Sequence, residues 1–205
     1  PSPVSRHATL LAACAGLTGP DQSAGLVRSL CDPALPSVGT PYMKGLECLA
    51  LSRLGAAEQC CSELSHYWGS MLNRGASTFW EALDLRQGES ESRGFYGRPF
   101  GRSLCHAWSS APAFLLPSVI AGVAPLTDSW SEFIVEPHLC GLDWACAAIP
   151  TPHGDITADV EPESATVRIP RRTVLVAGEK RYEGPATIQV PVQISKQVLQ
   201  VVTPC

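Results

Sequence analysis

The spacing of apolar residues changes once along the chain, near residue 124. Before that point apolar positions recur at helical spacing. After it they alternate with polar ones. A period of 3.6 residues builds one apolar stripe on a helix, and a period of 2 builds one apolar face on a strand. These surfaces need different partners, so a chain that switches once is expected to hold two cores. With 205 residues, 45% of them hydrophobic, there is material for both. The expected division is a helical part over 1–123 and an antiparallel β-sandwich over 124–205.

In the helical part, 5–17 is strongly apolar, with Ser5 as N-cap, and should be buried on more than one side. Pro20 opens a second helix over 20–31. Thr40-Pro41 repeats the cap-plus-proline signal and starts 41–54, with Tyr42, Leu46, Leu49, Ala50 and Leu54 inward, until Gly55 ends it. Residues 56–72 follow, with Cys60, Leu64, Tyr67, Trp68 and Met71 inward. Short connections make these antiparallel hairpins. The stretch 82–101, rich in glycine and charge, reads as a long loop, and helix resumes over 103–123, interrupted by Pro112 and Pro117. Beyond it, strands are expected at 132–136, 143–149, 154–160, 165–169, 173–177, 186–194 and 197–203, separated by glycine and proline turns.

Composition excludes several functions. The net charge is −4 and no block of Lys and Arg occurs, so nucleic acid is not an expected partner. No apolar run reaches the roughly 18 residues of a membrane span. The chain has no P-loop, no G-x-G-x-x-G and no G-x-S-x-G, so no cofactor is expected. Charged residues make up 17%, below the usual quarter or so, which suggests surfaces buried against something further. The chain opens on Pro1 and reads as a piece of a longer protein, so its compartment is left open. Nine cysteines are present, and Cys14, Cys48, Cys60 and Cys61 lie in apolar helical patterns, where a free thiol packs as a small hydrophobe. Zinc at His138, Cys140 and Cys146 is disfavoured, because no C-x-x-C pair exists.

Chemistry concentrates in two places. Thr78-Phe79-Trp80-Glu81 sets a carboxylate beside aromatic rings. Such rings suit the C–H face of a sugar, and partial burial tunes an acid. These four residues alone favour a plainer reading, a solvated Glu after a packed Trp. Cys105-His106-Ala107-Trp108-Ser109 is the second cluster, at the expected start of the helix after the loop. His106 there either meets a ligand hydroxyl or is bonded to backbone. Tyr67-Trp68 reads as core. Asp155, Asp159, Glu161 and Glu163 read as exposed.

Several runs resemble the bacterial α-L-rhamnosidases. They are 68–81 (WGSMLNRGASTFWE), 103–109 (SLCHAWS), 122–126 (GVAPL), 149–156 (IPTPHGDI), 5–8 (SRHA) and 38–42 (VGTPY), in the family's order. The resemblance implies that 1–123 holds the closing hairpins of an (α/α)6 barrel, left incomplete here, and 124–205 the C-terminal β-sandwich. It implies hydrolysis of terminal α-L-rhamnose with inversion, a rhamnose-containing glycoside or polysaccharide as partner, and dependence on the N-terminal part of the barrel. Glu81 then matches the general base, and His106, Trp80 and Trp108 match residues around the sugar. The family's general acid has no counterpart in this chain, which is expected to be inactive alone. Two other readings stay open: another glycosidase on the same barrel, or a non-catalytic carbohydrate-binding or structural module.

Overall fold

Prolines and capping residues open the helices and left-handed glycines close several of them, much as the sequence indicates. The computed structural model describes residues 6–88 and 101–192, with Glu91, Gly94 and Arg98 between them. Helix α1 spans Arg6–Cys14, and its chain leaves through Gly16 at φ +67°. A 3-10 turn over Pro20–Gln22 leads into α2, Ser23–Leu30. Helix α3 spans Pro41–Arg53, and its Thr40 cap accepts the Met43 N–H through Oγ1 at 3.3 Å. Helix α4 spans Ala57–Asn73. The Ser5 cap and the strand expected at 197–203 fall outside the described residues, as does much of the loop 82–101.

The chain divides into two compact units, one holding the helices up to Pro112 and the other beginning at Ala113. In the first, α1 packs on α2 and α3, and α3 packs on α4. Leu10, Leu30, Cys48, Leu51, Cys60 and Met71 are all but sealed from solvent. Each large apolar side chain buried this way stabilises by about 1.5–3 kcal/mol. Cys14, Cys48, Cys60 and Cys61 are free thiols, the middle two fully buried, while Cys31 is disulfide-bonded. Helix α1 buries only Thr9, Leu10 and Ala13, and Leu11 stays half exposed, so within this unit it is covered on one side rather than several.

Helix α3 differs most from its sequence pattern. Tyr42 is exposed and Leu46 and Leu49 are half-buried, while Lys44 and Glu47 are buried with Gly45, Cys48, Ala50 and Leu51. The reason is electrostatic. Lys44 Nζ pairs with Glu47, and with Glu63 of α4 at 2.8 Å, while Arg6 of α1 reaches Glu47 at 3.3 Å. Burial draws the Lys44 pKa down, but the two carboxylates outweigh it and the net shift is upward. Three helices are thus joined through charges that a hydrophobicity count assigns to the surface. Gly45 allows the close approach on the same face: a Cβ there would stand 2.5 Å from that of Ala111.

The segment 103–123 is not one helix. Extended backbone gives way to a 3-10 turn at Ala107–Ser109, then α5 at Pro112–Leu115 and a π-helical turn at Leu116–Ile120. Pro112 opens α5, and Pro117, which has no N–H to donate, lies inside the widened turn.

The second unit is two four-stranded sheets packed face to face. Strands β1 (Val123–Pro125), β2 (Glu132–Val135), β6 (Val174–Ala177) and β7 (Lys180–Glu183) form one, in that order. Strands β3 (Ala145–Ile149), β4 (Ile156–Val160), β5 (Ser164–Ile169) and β8 (Ala186–Pro191) form the other. Phe133, Leu175, Ile156, Val167, Ile169 and Val190 fill the space between them. All pairings are antiparallel except β2 with β6, which is parallel because the chain visits the other sheet between them. Strands β1 and β7 are absent from the sequence reading. The first is short and ends in proline, and Lys-Arg-Tyr-Glu of the second carries little apolar alternation.

Replacing Lys44 by Met leaves Glu47 buried without its ammonium partner. This is expected to cost about 3–5 kcal/mol, read as a lower midpoint in urea. Lys44→Met combined with Glu47→Gln recovers part of that loss.

Candidate functional site

After α4 the chain turns through Gly75 at φ +82° and leaves the helix. Residues 78–81 run antiparallel beside 103–106. The Glu81 N–H donates to Ser103 O at 2.9 Å, the His106 N–H donates to Phe79 O at 2.8 Å, and the Thr78 hydroxyl donates to Leu104 O. His106 therefore sits in extended backbone, φ −131° and ψ 113°, and Trp108 in a 3-10 turn, rather than at the start of a long helix.

Phe79 is partly exposed, Trp80 is only 4% exposed, and Glu81 is half-buried. The Trp80 ring is almost wholly buried. Its backbone carbonyl accepts the Ser109 hydroxyl at 2.5 Å. Ser109 O in turn accepts the Trp68 indole N–H at 2.8 Å, and the Tyr67 hydroxyl donates to Leu83 O at 2.9 Å. Tyr67 and Trp68 meet edge to face at 5.2 Å, both buried, as the sequence suggested. These buried bonds clamp the backbone on both sides of Glu81.

Glu81 itself is held from two directions. Its Oε2 accepts the Ser103 N–H at 2.8 Å, and its backbone carbonyl accepts the Trp108 indole N–H at 2.9 Å. Among the described residues Oε1 has no protein partner. The Trp108 ring, 42% exposed, lies 4.7 Å from the His106 ring and stacks on Tyr42 at 6.2 Å and 26°. Tyr42 is itself 48% exposed. Glu81, His106 and Trp108 are thus brought together, and Tyr42 and Phe79 join them. The helical pattern of α3 hid Tyr42, because position 42 reads equally well as core. A carboxylate with one anchored oxygen beside exposed aromatic faces can accept a proton from a water held against a sugar ring.

A cavity of about 380 Å³ lies elsewhere in this unit, with Arg6, Lys44, Glu63, His66, Asp84 and Arg86 in its walls. Its acids and bases largely neutralise one another through the ion pairs described above. Arg86 holds the partly exposed Asp84 carboxyl down to about 2. None of these charged residues was singled out from the sequence, because single charges in helical patterns read as solvated.

Residues 122–181 match the family described as the bacterial alpha-L-rhamnosidase C-terminal domain. Among solved structures, a GH78 family rhamnosidase of Bacillus sp. GL1 is 26% identical, with a TM-score of 0.62 over 79% of this chain and 16% of that one. The alpha-L-rhamnosidase of Streptomyces avermitilis, complexed with L-rhamnose, is 19% identical, with a TM-score of 0.66 over 83% and 17%. That of Aspergillus terreus is 17% identical, with a TM-score of 0.71 over 93% and 24%. The last two likenesses concern the fold. The chain spans only 16–24% of the length of these enzymes. No curated protein matches it. The likeness to the C-terminal part of the α-L-rhamnosidases, a group of glycoside hydrolases, is borne out by both comparisons.

Burial raises the Tyr67 hydroxyl from its ordinary value of 10.0 to about 12. Its contribution to stability is therefore complete below pH 10 and is lost as pH rises toward 12. Tyr67→Phe leaves Leu83 O unpaired and is expected to cost about 1–3 kcal/mol at neutral pH. Denaturation series at several pH values should show the gap between wild type and variant narrowing above pH 10.

Proposed function

We propose that this chain is the C-terminal part of an inverting α-L-rhamnosidase, with Glu81 as the general base. Residues 1–123 would supply the last hairpins of an (α/α)6 barrel and 124–205 the C-terminal β-sandwich. The barrel reading is supported by the packing of α1 to α4. It is also supported by Leu11, Leu17 and Leu72, exposed apolar side chains that further hairpins would cover. The rhamnose reading is supported by the motifs, by the family match over 122–181 and by the enzyme activity of the solved relatives.

One observation carries the assignment of Glu81: Ser103 N–H anchors one carboxylate oxygen, and the other, half-buried beside Trp108, has no protein partner among the described residues. A hydrogen bond to the ionised form favours the carboxylate, as a base requires. In the reaction Glu81 takes a proton from water as the water oxygen bonds to the anomeric carbon. The glycosidic bond breaks on the opposite face, and an acid contributed by the rest of the barrel protonates the departing oxygen. Inversion needs the two carboxyls roughly 6.5–9.5 Å apart, so that a water fits between them. Trp108 and Tyr42 would wall the sugar, and His106 would donate to one of its hydroxyls. Trp80 takes a supporting place beneath them.

Replacing Glu81 by Gln in the full-length parent tests this. Turnover of an aryl α-L-rhamnoside is expected to fall by about 10²–10⁴, with rhamnose binding retained. Unchanged turnover would leave only a binding or structural role for the module. The 205-residue chain alone is expected to show no hydrolysis of the same substrate. A panel of other aryl glycosides on the parent distinguishes a different glycosidase.

A further inference from the structure

The β-sandwich carries a built depression that the proposed reaction does not use. Three turns converge there: 150–155 between β3 and β4, 170–173 between β5 and β6, and 184–185 between β7 and β8. A depression of about 520 Å³ lies among them, lined by Pro152, His153, Arg171, Arg172, Gly184 and Pro185. That is within the size range of ligand sites.

The turns are locked to one another. The buried Thr173 hydroxyl donates to Pro170 O at 2.8 Å, and the Gly184 N–H donates to Thr173 O at 2.9 Å. A Cβ at Gly184 would stand 1.9 Å from Pro170 O, so this close approach requires glycine. The Thr151 hydroxyl closes the first turn on Gly154 O at 2.6 Å and accepts the His153 N–H at 3.1 Å. Arg172 is held at φ +62°, a conformation rare outside glycine and asparagine.

Arg171 and Arg172 are exposed, and neither guanidinium has an acidic partner among the described residues. His153 Nε2 is buried with no hydrogen-bond partner. A buried polar atom left this way costs free energy that a ligand oxygen or a bridging water removes. Two exposed arginines lining one concavity can recognise a carboxylate, and arginine does so in a planar, two-pronged geometry. The proline rings at the rim offer apolar contact.

We infer that this end of the sandwich binds a sugar acid, a uronate residue of the polysaccharide whose terminal rhamnose is cleaved elsewhere. The choice of a sugar as carrier of the carboxylate rests on the proposed function. The anion site itself does not, and its test involves no turnover, so the two can fail separately.

The test is titration of the 205-residue chain with D-galacturonate, with D-galactose as neutral counterpart and with inorganic phosphate, followed by calorimetry or by NMR shifts. Galacturonate is expected to bind, and to bind more weakly as salt is raised. Arg172→Asn removes the charge while suiting the left-handed backbone. It is expected to weaken binding by about tenfold or more, with circular dichroism unchanged. His153→Gln gives a second, smaller loss. No binding of galacturonate would overturn the inference, as would galactose binding equally well, or full affinity in Arg172→Asn. Phosphate binding as tightly as galacturonate would overturn the sugar-acid assignment and leave a general oxyanion site.

Discussion

The pairing of 78–81 with 103–106 is the interaction on which the site depends. Two backbone hydrogen bonds and one from the Thr78 hydroxyl join segments separated by the long loop. The pairing fixes which side chains face inward. Trp80 is buried, while Phe79 is partly exposed and Glu81 half-buried. Slipping the register by one residue would bury the carboxylate and expose the indole, an exchange unfavourable on both counts. Bonds from Tyr67, Trp68 and Ser109 resist that slip, because each satisfies a carbonyl that burial would otherwise leave unpaired. The aromatic residues next to Glu81 in sequence thus act mainly on its backbone. The aromatic faces beside it come from Trp108 and Tyr42.

A second constraint sits beneath the first. Helix α3 carries Tyr42 toward Trp108 at its start and buries Lys44 and Glu47 within the next turn. The ion network with Arg6 and Glu63 ties α1, α3 and α4 together in one orientation. Such pairs add little net stability over apolar packing, but they are intolerant of a wrong partner. An apolar interface among these helices could slide, whereas a charge network has few registers. The position of Tyr42 relative to Glu81 follows from that choice.

Much of this was legible in the sequence, for identifiable reasons. Thr40-Pro41, Gly55 and the inward set Cys60, Leu64, Tyr67, Trp68 and Met71 follow from capping and periodicity, which act locally. Six of the eight strands among the described residues followed from alternation. What escaped depends on partners distant in sequence. Lys44 and Glu47 are buried because Arg6 and Glu63 reach them, and no local pattern contains that fact. Adjacency to Glu81 suggested shared exposure for Trp80, whereas its ring is buried and Glu81 is half-buried. The 103–123 stretch was read as helix because its apolar content concealed a segment paired with 78–81. The β2–β6 parallel pair is a matter of topology, which residue alternation cannot encode.

The central claim is that the Glu81 carboxylate activates the attacking water. Azide rescue of Glu81→Ala in the full-length parent tests it most directly, because azide needs no deprotonation and fits the space the shortened side chain vacates. The account predicts that added azide restores cleavage of an activated aryl α-L-rhamnoside and yields the β-L-rhamnosyl azide. Failure of azide to raise the rate in a folded, rhamnose-binding variant would contradict it, as would an α-configured azide product.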